Sequence, residues 1–254
     1  MKIASNTRFI VDRLPSGYVF TYDAVCKELN QREAVIKTLN RMVASGKLAK
    51  LSKGKFYKPE ITSFGLLEPN AQQIVKDLLV EKGKIVGYLT GYSIYNQLGL
   101  SSQVSYIIQI GRNYIRPSIQ RSNYTIKFVQ QKNTITKENI PFLQLLDALR
   151  TIRQIPDANP ESSCKRFLAI LKKYSENDIR KIVRLALKYP PATRALLGAM
   201  LEKLNRQDKV NILFESLNPI SKYKIPSVSN VLFSAQKWNI YEPTYPSKTI
   251  RGST

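Results

Sequence analysis

Apolar residues recur at helical spacing from Ala4 to Leu14, with Ile3, Phe9, Ile10 and Leu14 set to face a neighbour, and Pro15, Ser16 and Gly17 end that segment. Val19 and Phe20 then read as a short strand. Thr21 stands where an N-cap is needed, since its hydroxyl can accept a first-turn N–H, and a short helix from Tyr22 to Leu29 follows with Asp23 at its positive end. Asn30 is placed to cap the next helix, with Glu33 completing a capping-box pattern, and Gly46 ends it in a left-handed conformation. That helix therefore runs from about Gln31 to Ser45. Its apolar residues Val35, Leu39, Met42 and Val43 make one stripe at helical spacing, and Lys37, Asn40 and Arg41 lie opposite. Beyond it Leu48, Leu51, Phe56 and Tyr57 have strand character and flank the basic turn Ser52-Lys53-Gly54-Lys55.

Pro59 to Pro69 shows no helical period and reads as a connector, after which Asn70 to Glu81 resumes a helix. A strand at Ile85 to Leu89 leads through a Thr90 cap into a short helix ending at Gly99. Val104 to Ile110 and Tyr124 to Val129 alternate like half-buried strands, with Gly111, Arg112 and Asn113 as a turn. From Pro141 the pattern is helical. Asn159 before Pro160 opens a helix to Tyr174, Ser175 with Asp178 opens a second that stops before Pro190, and Thr193 to Leu204 forms another, in which Ala195, Gly198 and Ala199 permit close approach. The tail from Asn218 is proline-rich, with Trp238, Ile240 and Tyr241 as its anchors.

These elements predict an α+β chain. Residues 1–60 read as a winged helix-turn-helix and 61–254 as a second domain, with mixed α/β structure in 61–135, helices in 136–217 and an irregular tail in 218–254.

Charge sharpens the reading. Lys plus Arg number 40 against 18 Asp plus Glu, a net charge of +22. The excess is spread along the whole length, so it is not a basic tail, and it favours polyanionic partners through steering and counterion release. The candidate DNA contacts are Gln31 and Arg32 at the helix N-terminus for base edges, Lys37, Asn40 and Arg41 along its outer face, and Lys53 and Lys55 on the wing for phosphates. Double-stranded DNA is the expected partner. An RNA- or ribosome-associated protein is the alternative, because spread charge does not distinguish the two polyanions.

Candidate chemistry is sparse. The sequence contains no His, which removes Ser-His and Cys-His nucleophiles and the commonest general base. No G-x-x-x-x-G-K-[ST] loop occurs, no carboxylate stands two residues before a lysine, and no Asp-x-Asp pair follows a Gly-Ser turn. We therefore expect no catalytic residues, no cofactor and no metal. Glu176 with Asp178 reads as a charged first helical turn, and Tyr88, Tyr92 and Tyr95 as packing aromatics. Cys26 and Cys164 read as reduced core thiols. No eighteen consecutive apolar residues occur, so a soluble cytoplasmic protein without a membrane partner is expected.

Three blocks, VFTYDAV with NQREAVIKTLNRMVASGKLAKLSKGKFYKPEITSFG, GYLTGYSIYNQLGLSSQVS, and LALKYPPATRALLGAMLEKL with LNPISKYKI and WNI, resemble the antitoxin family of the AbiE abortive-infection systems, in its branch with an extended helical C-terminus. The first block is generic to winged helices and the other two discriminate. The resemblance implies a repressor of its own operon that also counters a nucleotidyltransferase-like toxin without a stable complex, a type IV toxin-antitoxin arrangement. It places the DNA-binding helix on Gln31 to Ser45 and the wing on Lys50 to Tyr57, and the change of character of the sequence near residue 60 is where repression and antitoxicity are expected to divide.

Overall fold

The computed structural model describes residues 3–29, 31–63, 65–206 and 210–242, and its architecture is mixed α+β. The chain forms two compact units, one of Met1–Leu89, Tyr106–Ile110 and Ile115–Val129, the other of Thr90–Ser105, Gly111–Tyr114 and Gln130–Thr254. The boundary expected near residue 60 falls inside the first unit, because Val19 and Lys55 both find partners beyond it: the Val19 N–H donates to Gln73 Oε1 at 3.3 Å, and the Lys55 ammonium to Asp77 Oδ2 at 2.5 Å.

The first unit begins with α1 (Ile3–Asp12), β1 (Val19–Thr21), α2 (Tyr22–Leu29), α3 (Arg32–Ala44), β2 (Ala49–Ser52) and β3 (Lys55–Tyr57). The strands form an antiparallel sheet in the order β1-β3-β2, with Val19 opposite Tyr57 and Ala49 opposite the same residue on the other side. Val11, Phe20, Val25, Val35, Leu39, Met42, Leu48 and Phe56 share one core. This matches the predicted stripe of α3. The inward residue of α1 differs: Val11 is buried with Thr7 one turn before it, whereas Phe9, on the opposite face, is 63% exposed beneath the Arg13 guanidinium. Thr21 caps α2 as expected, its Oγ1 accepting from the Ala24 N–H at 3.4 Å. The expected cap at Asn30 lies outside the described residues, and Gln31 occupies the α3 N-cap position without a side-chain cap bond.

A small hairpin of β4 (Glu60–Thr62) and β5 (Gly65–Leu67) follows. The helix expected over Asn70 to Glu81 is broken at Val75 (φ −113°, ψ 12°) into α4 (Ala71–Ile74) and α5 (Lys76–Leu79), and the chain then pairs β6 (Val80–Glu81) with β7 (Lys84–Ile85). Next come β8 (Gly87–Thr90), α6 (Tyr92–Leu98), β9 (Ile107–Arg112), β10 (Ile119–Arg121) and β11 (Tyr124–Gln130). The four strands are ordered β10-β11-β9-β8. Gly111 and Arg112, expected in a turn, belong to β9. Ile108, Ile110 and Arg112 are the buried alternate positions, so the strand's period continues through an arginine that composition marks as polar.

In the second unit α6 is joined by α7 (Ile140–Arg150), α8 (Pro160–Lys172), α9 (Glu176–Ala186), α10 (Pro191–Lys203) and α11 (Asn211–Glu215), with β12 (Tyr223–Lys224) parallel to β13 (Ile240–Tyr241). The predicted caps form: Asn159 Oδ1 accepts from the Ser162 N–H at 2.7 Å, and Ser175 and Asp178 make a reciprocal capping box. α10 starts at Pro191, earlier than expected, because proline is pre-set for the first helical position. Tyr95 and Tyr88 are buried, and Tyr92 meets Tyr95 edge-on at 5.8 Å, which is packing. Of the tail anchors, Trp238 and Ile240 are buried, but Tyr241 is 41% exposed because it follows Ile240 on the opposite face of a strand. Both cysteines are free; burial pushes Cys164 up to about 12, and burial with Asp23 raises Cys26 despite Arg32.

Candidate nucleic-acid interface

The outer face of α3 follows from its inner one. Burial of Val35, Thr38, Leu39 and Met42 leaves Glu33, Lys37, Asn40 and Arg41 in solvent, three and four residues apart and so in one stripe. The structure thus brings together Lys37, Asn40 and Arg41. It also puts a carboxylate, Glu33, at the N-terminal end of the same stripe.

Gln31 and Arg32 sit at the start of α3 and are exposed. Arg32 is held there. Its Nη2 donates to the Tyr22 hydroxyl at 2.8 Å, and its guanidinium lies 4.8 Å from the centre of that ring. The hydrogen bond raises an already high pKa, so the side chain is a cation at every working pH. Tyr22 also packs on the hairpin turn: a Cβ at Gly54 would come within 2.8 Å of Tyr22 Cε1, and Gly54 has φ +74°. A glycine there serves both the turn and the close approach of the ring. One aromatic from the start of α2 therefore joins the α3 N-terminus to the tip of the β2–β3 hairpin. Nothing in the local pattern singled Tyr22 out, since both its partners lie far along the chain.

The two hairpin lysines differ. Lys53 is exposed at the turn, whereas Lys55 points back into the unit, its side chain 17% exposed, and pairs with Asp77. Asp77 also accepts two bonds from Arg121, at 2.6 and 2.7 Å, and Arg121 donates in addition to the Ile74 carbonyl at 2.7 Å. The structure thus does not bring Lys55 together with Lys53 at the turn: its charge is engaged by a carboxylate invisible from the hairpin sequence. The pair is lopsided. Burial would raise Asp77, but hydrogen bonds from Arg121 and Lys55 outweigh it and hold the carboxyl below its usual value, while burial, together with the neighbouring Arg121 charge, lowers Lys55 more than its one carboxylate restores. We take Asp77 as the member stabilised by the arrangement, since it has two cationic partners.

Among the described residues no three His, Cys, Asp or Glu side chains converge to hold a metal, and no helix is long and apolar enough to cross a membrane.

Residues 10–179 match DUF6088, a family of unknown function. No curated protein matches the sequence. Among solved structures, the RV2827C protein of Mycobacterium tuberculosis is similar, with a TM-score of 0.60 over 87% of this chain and 83% of that one at 14% identity. At that identity the likeness is one of fold.

Proposed function

We propose, for a chain that belongs to the DUF6088 family, a DNA-binding transcriptional repressor whose N-terminal module is a winged helix-turn-helix, with α3 as recognition helix and the β2–β3 hairpin as wing. The observation that carries this is the Tyr22 junction, which fixes the exposed Arg32 beside a hairpin tip bearing the exposed Lys53. A recognition helix reads bases from its N-terminal residues while a flanking element grips the backbone, and here one ring sets their spacing.

The antitoxin half of the reading rests on the resemblance of the central and late blocks to the AbiE antitoxins. It makes the protein the counterpart of a nucleotidyltransferase-like toxin. Co-expression with such a toxin encoded beside it should restore growth, and unrelieved killing would remove this half.

For the DNA-binding half, Arg32→Ala should cost about 1–3 kcal/mol on the cognate duplex and almost nothing on random duplex. Lys53→Ala should weaken both duplexes alike and flatten the plot of log affinity against log salt by about one unit, and Lys55→Ala should leave that slope unchanged because its charge is paired. Competition titrations across a salt series measure all three. Equal loss on random duplex would make Arg32 a phosphate contact, and tighter binding to structured RNA than to any duplex DNA would favour the RNA-associated alternative.

A further inference from the structure

Two cavities of the second unit share the Arg150 side chain and lie at the start of α10. The first, about 290 Å³, is lined by Lys132, Arg150, Lys188, Gln131 and Tyr189, and among the described residues no carboxylate lines it. The second, about 250 Å³, has Leu149, Ile152 and Ile225 as apolar walls, with Tyr223 among them and Arg150 and Lys222 bringing positive charge. Their chemistries differ. The first offers cations and side-chain amides, and the second offers hydrocarbon surface beside four cations, Arg150, Arg153, Lys222 and Lys224.

The Tyr223 hydroxyl beside this cavity is unpaired. Tyr223 is 8% exposed, and its buried hydroxyl has no hydrogen-bond partner among the described residues. A buried hydroxyl left unpaired is costly, so a ligand in the adjoining cavity that supplied the partner would be favoured by it. Pro191 lines the first cavity and Ala192 and Thr193 the second, so the opening turn of a 13-residue helix faces both and adds the positive end of its dipole. The carboxylate behind the first cavity, Asp147, is turned inward, accepting from Thr90 Oγ1 at 2.8 Å and from the Tyr189 hydroxyl at 2.7 Å.

We infer that these paired cavities bind a nucleoside phosphate. The phosphates lie against Arg150, Lys132 and Lys188, and the base and ribose against Leu149, Ile152, Ile225 and the Tyr223 hydroxyl. Arg150, shared by both cavities, is the residue suited to a planar, two-pronged grip on phosphate. Each cavity alone, at about 290 and 250 Å³, is just under the size of a small-molecule site, and the two taken together fall within it. The inference does not depend on how the N-terminal module is read.

Calorimetric titration of the full chain with ATP, GTP and inorganic pyrophosphate tests it. One of the triphosphates should bind at one site per chain and more tightly than pyrophosphate. Arg150→Glu should weaken that triphosphate at least about tenfold. Tyr223→Phe should weaken it about three- to tenfold while leaving pyrophosphate within about twofold, because the substitution removes only the hydroxyl facing the base and ribose. Lys188→Glu serves as the second charge variant if Arg150→Glu lacks a cooperative melt. No saturable binding of either triphosphate at millimolar concentration would overturn the assignment. So would undiminished binding in the charge variants, an equal effect of Tyr223→Phe on pyrophosphate, or Arg150-dependent binding of a single-stranded oligonucleotide alone.

Discussion

Gly198→Ala should destabilise the second unit by about 2–4 kcal/mol, although alanine is the better helix former by about 1 kcal/mol. Gly198 lies within α10 directly under Trp238: a Cβ there would meet Trp238 Cη2 at 2.1 Å, Cζ3 at 2.2 Å and Cζ2 at 2.7 Å. The ring cannot step aside. It is 1% exposed, its Nε1 donates to Glu202 Oε2 at 2.7 Å, and Phe214 packs edge-on against it at 5.3 Å. Relief therefore requires moving the segment that carries Trp238 off α10. A loss of that size lowers the melting temperature by roughly 5–12 °C in a unit of this size. Trp238 is the sole tryptophan, so its fluorescence reports on the contact itself. Gly198→Ala should shift the emission to the red as well as lowering the melt, and Gly198→Ala combined with Trp238→Leu should recover part of the loss through coupling at one contact. A melt within about 1 °C of the parent's with unchanged emission would contradict this packing.

Asp77→Ala should cost the first unit about 2–3 kcal/mol. The substitution leaves Arg121, 7% exposed, with only the Ile74 carbonyl among the described residues to accept from it, and leaves Lys55 without its carboxylate. The range sits below that for a fully buried pair because the Asp77 side chain is 46% exposed and so partly screened by solvent. The same carboxylate gives a pH signature. Its folded pKa is depressed below the ordinary 3.8 by Arg121 and Lys55, which together outweigh the opposing effect of burial. Its contribution is thus complete above that ordinary value and is lost as pH falls toward the folded one. Denaturant melts from neutral to strongly acid pH should show an acid loss of stability in the parent that is smaller in Asp77→Asn. Parallel curves for the two proteins would show that the pair does not govern the acid limb.

The parts of the fold legible in the sequence were those set by local period and capping chemistry. Val35, Leu39 and Met42 declare the buried side of α3, and Ser175 with Asp178 declares the start of α9, because each signal lies within a few residues. What escaped depends on distant partners or on competing periods. α1 offers two apolar faces, and only the packed core selects Val11 over Phe9. Arg112 reads as a turn residue until its strand neighbours show it at an inward position. Lys55 looks identical to Lys53 until Asp77, 22 residues on, is brought to it. For the same reason a fragment ending at Glu60 would lack the partners of Val19 and Lys55, so the N-terminal module is best studied in the whole chain. The cavities around Arg150 draw on separate stretches near Gln131, Tyr189 and Tyr223, and no single window of sequence contains them.

The claim at the centre of this account is that the exposed start of α3 reads a DNA sequence. Footprinting of the full chain across the DNA upstream of its own coding sequence tests it most directly, with Gln31→Ala/Arg32→Ala run beside the parent in excess random competitor. The account predicts a discrete protected site for the parent and its loss in the double variant, with weak unlocalised binding retained by both. Protection that is uniform along the DNA, or a discrete site that survives the double variant unchanged, would contradict it.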